Sequence, residues 1–295
     1  MTTPLAARLA AAADRPVDPA VAAFARRLGE EAGARAVLFY GSNLRTGSLE
    51  GVLDFYVLLP GPGERGLWPR VSYREWDHAG APLRAKIATM SLVRFAQAAA
   101  GETIDTTIWA RFVQPSALAW ARDDEARASV LAALQAAAVT AARLAVAVGP
   151  ARGPEDAYWR ALFRATYRAE LRVEPPGRED AILTANQAHF DGLLPAALGQ
   201  AGIALVRDGA TIEPRLEPRE KQGILRWWNR RRRLGKALNA IRLIRAAATF
   251  EGGMRYVAWK VERHTGLPVK VTPLRERFPL AAAPALIWQV WRARR

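Results

Sequence analysis

Cysteine is absent from the chain. That excludes a disulfide framework, a cysteine zinc site and thiol chemistry, and it fits a reducing compartment. Histidine is scarce: His78, His189 and His264 are scattered, with no pair at metal-ligand spacing. No Gly-x-Ser-x-Gly segment offers an activated serine. No apolar run reaches the roughly 18 residues of a membrane span. The longest candidate, residues 280–291, is broken by Pro284 and Gln289. At the N-terminus Arg8 interrupts an alanine-rich stretch, and no basic segment precedes an apolar one. Residues 1–16 therefore read as a frayed helix rather than a signal peptide. The expectation is a soluble or membrane-peripheral protein.

Acidic residues are nearly missing from the last quarter. Residues 219–295 hold 19 Lys and Arg against 4 Asp and Glu, a net of +15. The full chain also carries +15, so residues 1–218 are neutral overall. A field of one sign confined to one region points to an anionic partner: phospholipid, nucleic acid or nucleotide.

Hydrophobic residues make up 51% of the chain, and 295 residues suffice for a large core or two domains. Residues 21–28 are amphipathic and helical in pattern. Residues 36–40 and 52–59 are aliphatic and aromatic and predict strands. Residues 61–66 form a loop. Residues 86–95 are ambiguous, and residues 106–113 suit either strand or helix before Pro115. A helix is predicted over residues 126–148. Another spans 158–171, with Glu155 and Asp156 suited to its first turn. A third covers 179–198. Residues 207–218, with Pro214 and Pro218, read as a linker. A basic run, Trp-Trp-Asn-Arg-Arg-Arg-Arg, leads into a final helix with Leu234, Leu238, Ile241 and Ala248 on one stripe.

One stretch carries the chemistry. The apolar run 36–40 breaks at Gly41-Ser42, and the next run holds Asp54 among Val52, Leu53, Phe55 and Val57. A carboxylate in a buried strand is costly unless a charge meets it. A divalent metal meets it, while a Gly-Ser turn lets backbone N–H groups approach a phosphate. Together they suggest a metal–nucleotide site, with Mg²⁺ bridging phosphate oxygens and Asp54.

The layout resembles the nucleotidyltransferase superfamily, whose signature is Gly-Ser, a spacer, and then acid–apolar–acid–apolar. Here the last part reads Asp54-Phe55-Tyr56-Val57, with Tyr56 in the place of the second acid. One branch, the mitochondrial translocator-assembly-and-maintenance type of CDP-diacylglycerol synthase, carries Tyr-Gly-Ser and later Asp-Phe-Ile. Tyr40-Gly41-Ser42 and Asp54-Phe55-Tyr56 are similar to these. Residues 86–91 (Lys-Ile-Ala-Thr-Met-Ser), 109–115 (Trp-Ala-Arg-Phe-Val-Gln-Pro) and 167–172 (Tyr-Arg-Ala-Glu-Leu-Arg) resemble further segments of that family in the same order. The resemblance covers residues 35–200.

The resemblance implies transfer of CMP from CTP to phosphatidate, giving CDP-diacylglycerol and pyrophosphate, with Mg²⁺ as cofactor. Tyr40, Gly41, Ser42 and Arg45 are then the nucleotide-binding residues. Asp54 is the metal ligand, with Asp105 or Glu170 as candidates for a second carboxylate. Lys86 and Arg111 meet phosphates, Lys86 as a point charge and Arg111 as a fork. Arg172 is a candidate for the lipid phosphate. Trp227 and Trp228 beside Arg230, Arg231, Arg232 and Arg233 suit an anionic membrane interface, as the final residues 287–295 do. Internal packing of the tryptophans and nucleic-acid binding are the rival readings of that patch.

The expected fold is α+β. A nucleotidyltransferase-like mixed sheet core occupies residues 1–118, a helical domain 119–206, a linker 207–218, and a basic, membrane-docking portion 219–295. The expected location is the cytoplasmic face of a membrane. Two alternatives stay open: a nucleotidyltransferase with another acceptor, such as a sugar phosphate, antibiotic or protein, and a non-catalytic binding protein on a degenerate version of the fold.

Overall fold

β-branched and aromatic runs between glycine turns produce a five-stranded mixed sheet. The computed structural model describes residues 3–63, 69–169 and 178–249, with Gly252, Gly253 and Trp259. The chain begins with helices α1 (Leu5–Ala13) and α2 (Pro19–Glu31), then strand β1 (Ala36–Tyr40), a short helix α3 (Ser42–Thr46) and β2 (Leu53–Leu59). β3 (Arg70–His78), β4 (Ala81–Ser91), α4 (Leu92–Ala99), α5 (Thr107–Phe112) and β5 (Ser116–Ala121) complete the sheet region. The sheet order is β3-β4-β2-β1-β5, with β2 and β4 parallel and the other neighbours antiparallel.

The long helix α6 (Asp124–Val148) follows, then β6 (Gly153–Pro154), α7 (Glu155–Ala169), α8 (Arg178–Ala185), α9 (Gln187–Phe190) and α10 (Leu193–Gln200). The chain continues through β7 (Leu205–Asp208) and β8 (Thr211–Pro214) into α11 (Pro218–Thr249).

Strand alternation gives the sheet two apolar faces. Val37, Phe39, Phe55, Val57 and Ile87 pack with Val21, Phe24 and Leu28 of α2. Leu38, Tyr56, Leu58, Ala88 and Met90 face the helices, where Phe95, Trp109 and Phe112 meet them. α6 runs through that helical layer and touches α1, α4, α5, α7, α10 and α11. Its many alanines let those neighbours approach closely, and Asp123 caps its start by accepting from the Ala126 N–H.

Several expectations change in detail. Residues 1–16 hold a packed helix: Leu5, Leu9 and Ala13 are buried, and Arg127 makes a two-pronged pair with Asp14. The ambiguous stretch 86–95 divides at Ser91, which ends β4 and caps α4 through its Oγ. Residues 106–113 are helical. The single helix predicted over 179–198 is three short ones: Asn186, with φ −127° and ψ 27°, separates the first two, and Gly192, at a left-handed φ of 70°, precedes the third. The stretch read as a linker, 207–218, holds the end of β7, the turn and all of β8, and β8 pairs with both β7 and β6 in a second, three-stranded sheet. α6 is also long and apolar enough to cross a membrane by composition, which the sequence reading did not single out; 67% of its apolar window is buried inside the fold.

Candidate functional site

Sheet register assembles the first half of the site. Tyr40 on β1 pairs with Asp54 on β2, and Asp54 pairs with Lys86 on β4. Residues in register on neighbouring strands project to the same face. These three therefore stand in a row on the helix-covered face, two positions along each strand from Leu38, Tyr56 and Ala88.

Gly41 turns the chain immediately after that row. Its φ of 88° and ψ of −161° belong to a region that essentially only glycine occupies. A Cβ built there would lie 3.0 Å from Oδ2 of Asp54. The Asp54 carboxylate therefore leans against the Gly41-Ser42 bend. Asn43 stiffens the segment after the bend by donating to the carbonyls of Ser48 and Glu50 at 2.8 and 2.7 Å.

Helix α5 brings Arg111 from the opposite layer. Its guanidinium lies over the Tyr40 ring, 5.2 Å from the centroid, with Nη1 3.5 Å from the Tyr40 hydroxyl. The electrostatics follow from burial. Desolvation pushes the Asp54 carboxyl above its ordinary value, and Lys86 and Arg111 oppose that rise. Desolvation likewise raises the phenols of Tyr40 and Tyr56, so both keep their protons at neutral pH.

These residues surround one cavity of about 380 Å³. Tyr40, Gly41, Ser42, Arg45, Asp54, Lys86 and Arg111 all line it, although they come from four separate stretches of sequence. Arg15, Thr107, Gln114, Tyr167 and Asn186 line it too and were not singled out as site residues. Gln114 and Tyr167 lie inside the segments that carry the family resemblance. Arg15 follows α1 in a stretch with no sequence signal of function. Among the described lining residues four cations, Arg15, Arg45, Lys86 and Arg111, face one carboxylate, Asp54. Such a lining suits a polyanion.

Among the described residues, no second carboxylate joins Asp54 in the cavity lining. Tyr56 fills the second acid's position, 1% exposed, as a neutral phenol. Asp105 is buried outside the cavity lining, and its Oδ1 accepts a 2.7 Å hydrogen bond from Thr107 Oγ1. Thr107 in turn accepts from Arg242 Nη1 at 2.6 Å. Glu170 and Arg172 lie outside the described residues. No group of three or more His, Asp or Glu residues suited to a metal occurs among the described residues. This donor set does not fit an ion held by protein alone. It does fit Mg²⁺ carried by a polyphosphate, where one carboxylate is enough.

The patch assigned to the membrane is divided. Trp228 is 4% exposed and Arg231 6%, so both are interior groups rather than surface anchors. Trp228 meets Trp109 edge-on, and Trp227 donates from Nε1 to the Gly101 carbonyl at 3.0 Å. Arg231 stacks on the Trp227 ring and donates to the carbonyls of Gly101, Thr103 and Trp227. These three side chains fasten α11 to the loop that precedes α5. Arg230, Arg232 and Arg233 remain exposed. Residues 287–295 lie outside the described residues.

No protein-family model matches the chain, and no curated protein matches it at a significant level.

Proposed function

We propose that the chain is a nucleotidyltransferase that moves CMP from CTP to phosphatidate, releasing pyrophosphate. The observation that carries this reading is the convergence of Gly41, Ser42, Asp54, Lys86 and Arg111 on one cationic cavity. The choice of CTP and phosphatidate rests on the sequence resemblance.

In this reading the triphosphate lies against the Gly41-Ser42 bend. Lys86 and Arg111 offset its charge from two sides, and Arg45 and Arg15 extend the positive wall. Asp54 would hold Mg²⁺ together with the phosphate oxygens; when bound, the ion supplies charge neutralisation at the leaving pyrophosphate. Tyr40 fixes the Arg111 fork by lying beneath its guanidinium. A phosphatidate oxygen attacks the α-phosphorus, and the bond from that phosphorus to the bridging oxygen breaks. Phosphatidate is already an anion at neutral pH, so the attack needs no strong base. The two anions must be held together, which is the work of the cationic wall. The protein docks on the inner face of an anionic membrane through exposed arginines, Arg230, Arg232 and Arg233 among them.

Tyr56 in place of a second carboxylate favours one other reading, a nucleotide-binding protein that does not turn over. Incubation with α-labelled CTP, Mg²⁺ and phosphatidate in detergent separates the two. Labelled lipid with equimolar pyrophosphate is the expected result. Transfer only to a different acceptor keeps the reaction class and discards phosphatidate. CTP binding without any transfer selects the second reading.

A further inference from the structure

Beside the cavity lies a chain of polar groups that the proposed reaction leaves without a task. Asp105, 8% exposed, stands in the loop before α5 and accepts from Thr107 Oγ1 at 2.7 Å. Thr107 opens α5 and lines the cavity. Its hydroxyl also accepts from Nη1 of Arg242, a partly buried residue of α11, at 2.6 Å. One hydroxyl thus links a carboxylate to a guanidinium: it donates to Asp105 and accepts from Arg242. Among the described residues that line the cavity, neither Asp105 nor Arg242 appears.

Helix α11 grips this loop twice. Arg231 donates from Nη2 to the carbonyls of Gly101 and Thr103, both at 2.6 Å. Thr103 Oγ1 donates in turn to the Asp105 carbonyl at 3.3 Å. Arg242 follows Arg231 by about three turns, so both arginines leave the helix on the same side. The loop is fixed at its start by Arg231 and at its end by Arg242. Thr107 and Arg111 stand one turn apart on α5 and share its cavity face. The contact from α11 therefore reaches the base of the helix that presents Arg111.

The charges are close enough to act on one another. Burial raises the Tyr56 phenol most; Arg111 and Arg242 pull it down, and Asp105 pushes it up. One buried ring thus lies in the field of all three groups. A carboxylate at this depth opposes a polyphosphate in the cavity, and it draws Arg111 toward itself. A cation one hydroxyl away offsets both effects.

We propose that Arg242 is a positioning residue for the cavity: it masks the Asp105 charge through the Thr107 hydroxyl and so leaves Arg111 to the bound anion. Asp105 is then a buried charge held in check from α11, rather than a metal ligand. Helix α11 belongs to the site through its inner face, whatever its outer face docks on. This inference rests on the polyphosphate reading of the cavity, and not on the identity of the nucleotide or the acceptor.

Calorimetric titration of the full chain with tripolyphosphate in Mg²⁺ tests it, beside thermal melts that report folding. Arg242→Gln keeps a donor for Thr107 and removes the charge, and it should weaken tripolyphosphate binding by about 10-fold. Adding Asp105→Asn, which keeps an acceptor for Thr107, should restore the affinity to within about 2-fold of the unaltered chain. A charge pair that served folding alone would move the melts of these variants but not the affinity of the folded chain. Asp105→Asn by itself should bind at least as tightly as the unaltered chain, and it carries the test should Arg242→Gln fail to fold. Unchanged affinity in folded Arg242→Gln, no rescue in the double variant, or weaker binding in Asp105→Asn overturns the proposal and leaves the polyphosphate site standing. Absence of tripolyphosphate binding by the unaltered chain overturns both.

Discussion

Burial raises the cost of ionising Asp54, and Lys86 and Arg111 offset only part of it. The sign for stability follows. With a folded value above the ordinary 3.8, the native state holds its proton more tightly than the unfolded chain. The ionised group then withdraws stability as pH rises through the folded value, and below about 3.8 its effect vanishes. Asp54→Asn should therefore melt above the unaltered protein at pH 7 and converge with it near pH 3.5. In the proposed reaction the same substitution should lower transfer by roughly 100-fold or more, since Asp54 is the one carboxylate among the described residues lining the cavity. Thermal melts across pH, beside the lipid-labelling assay, check both halves; retained transfer removes Asp54 from the chemistry. Gly41 and Asp54 were legible in the sequence because a glycine break and a carboxylate inside an apolar run are each locally anomalous. Arg15 was not, because an arginine after a helix is ordinary until the fold turns it into the cavity.

Helix α11 shows how one amphipathic pattern answers to two physical uses. Ile224, Trp228 and Arg231 follow helical spacing and are buried, while Arg230, Arg232, Arg233 and Leu234 point to solvent. Gly235 lets the helix pass against the Ala169 carbonyl at the end of α7, where a Cβ would come within 2.3 Å. Indole and guanidinium suit both a headgroup boundary and a core contact, so composition alone did not separate them. The two faces should respond differently to substitution. Trp228→Ala should cost about 3–5 kcal/mol of stability without changing vesicle affinity of the folded fraction. The pair Arg232→Ala and Arg233→Ala should leave the melting temperature unchanged and weaken binding to anionic vesicles by about 1 kcal/mol per residue. Chemical denaturation and vesicle sedimentation measure the two effects; unchanged sedimentation in the arginine pair would refute membrane docking by this face.

The assembled fold sets the behaviour of its buried ionisable groups. His189, held between α9 and the Val113 carbonyl, is neutral with a value of about 4 against the ordinary 6.5. Because the folded value is depressed, the unfolded chain binds the extra proton first. Stability is then complete above pH 6.5 and drains away as pH falls toward 4, at a slope of at most about 1.4 kcal/mol per pH unit from this residue. His189→Gln should flatten that loss between pH 6.5 and 4 by the same slope, measured by denaturant titration at each pH. An unchanged slope would show that the imidazole titrates normally. His189 carried no signal in the sequence, where three isolated histidines gave no spacing to interpret.

Local sequence was enough for β1, β2, α2 and α6, because their periodicity and their glycine and acidic boundaries act over a few residues. It also marked the Gly-Ser bend that ends β1 and Asp54 near the start of β2, which the antiparallel register then sets side by side. It did not decide residues 86–95 and 106–113, where short apolar runs suit more than one element, and it read 179–198 as one helix where the fold makes three. The tertiary structure alone brought Lys86 into register with Asp54 and carried Arg111 and Arg15 across from the helical layer. It also buried Trp228 and Arg231. Strand register and layer packing are set by contacts between distant residues, and no local pattern encodes which cation will stand opposite which acid.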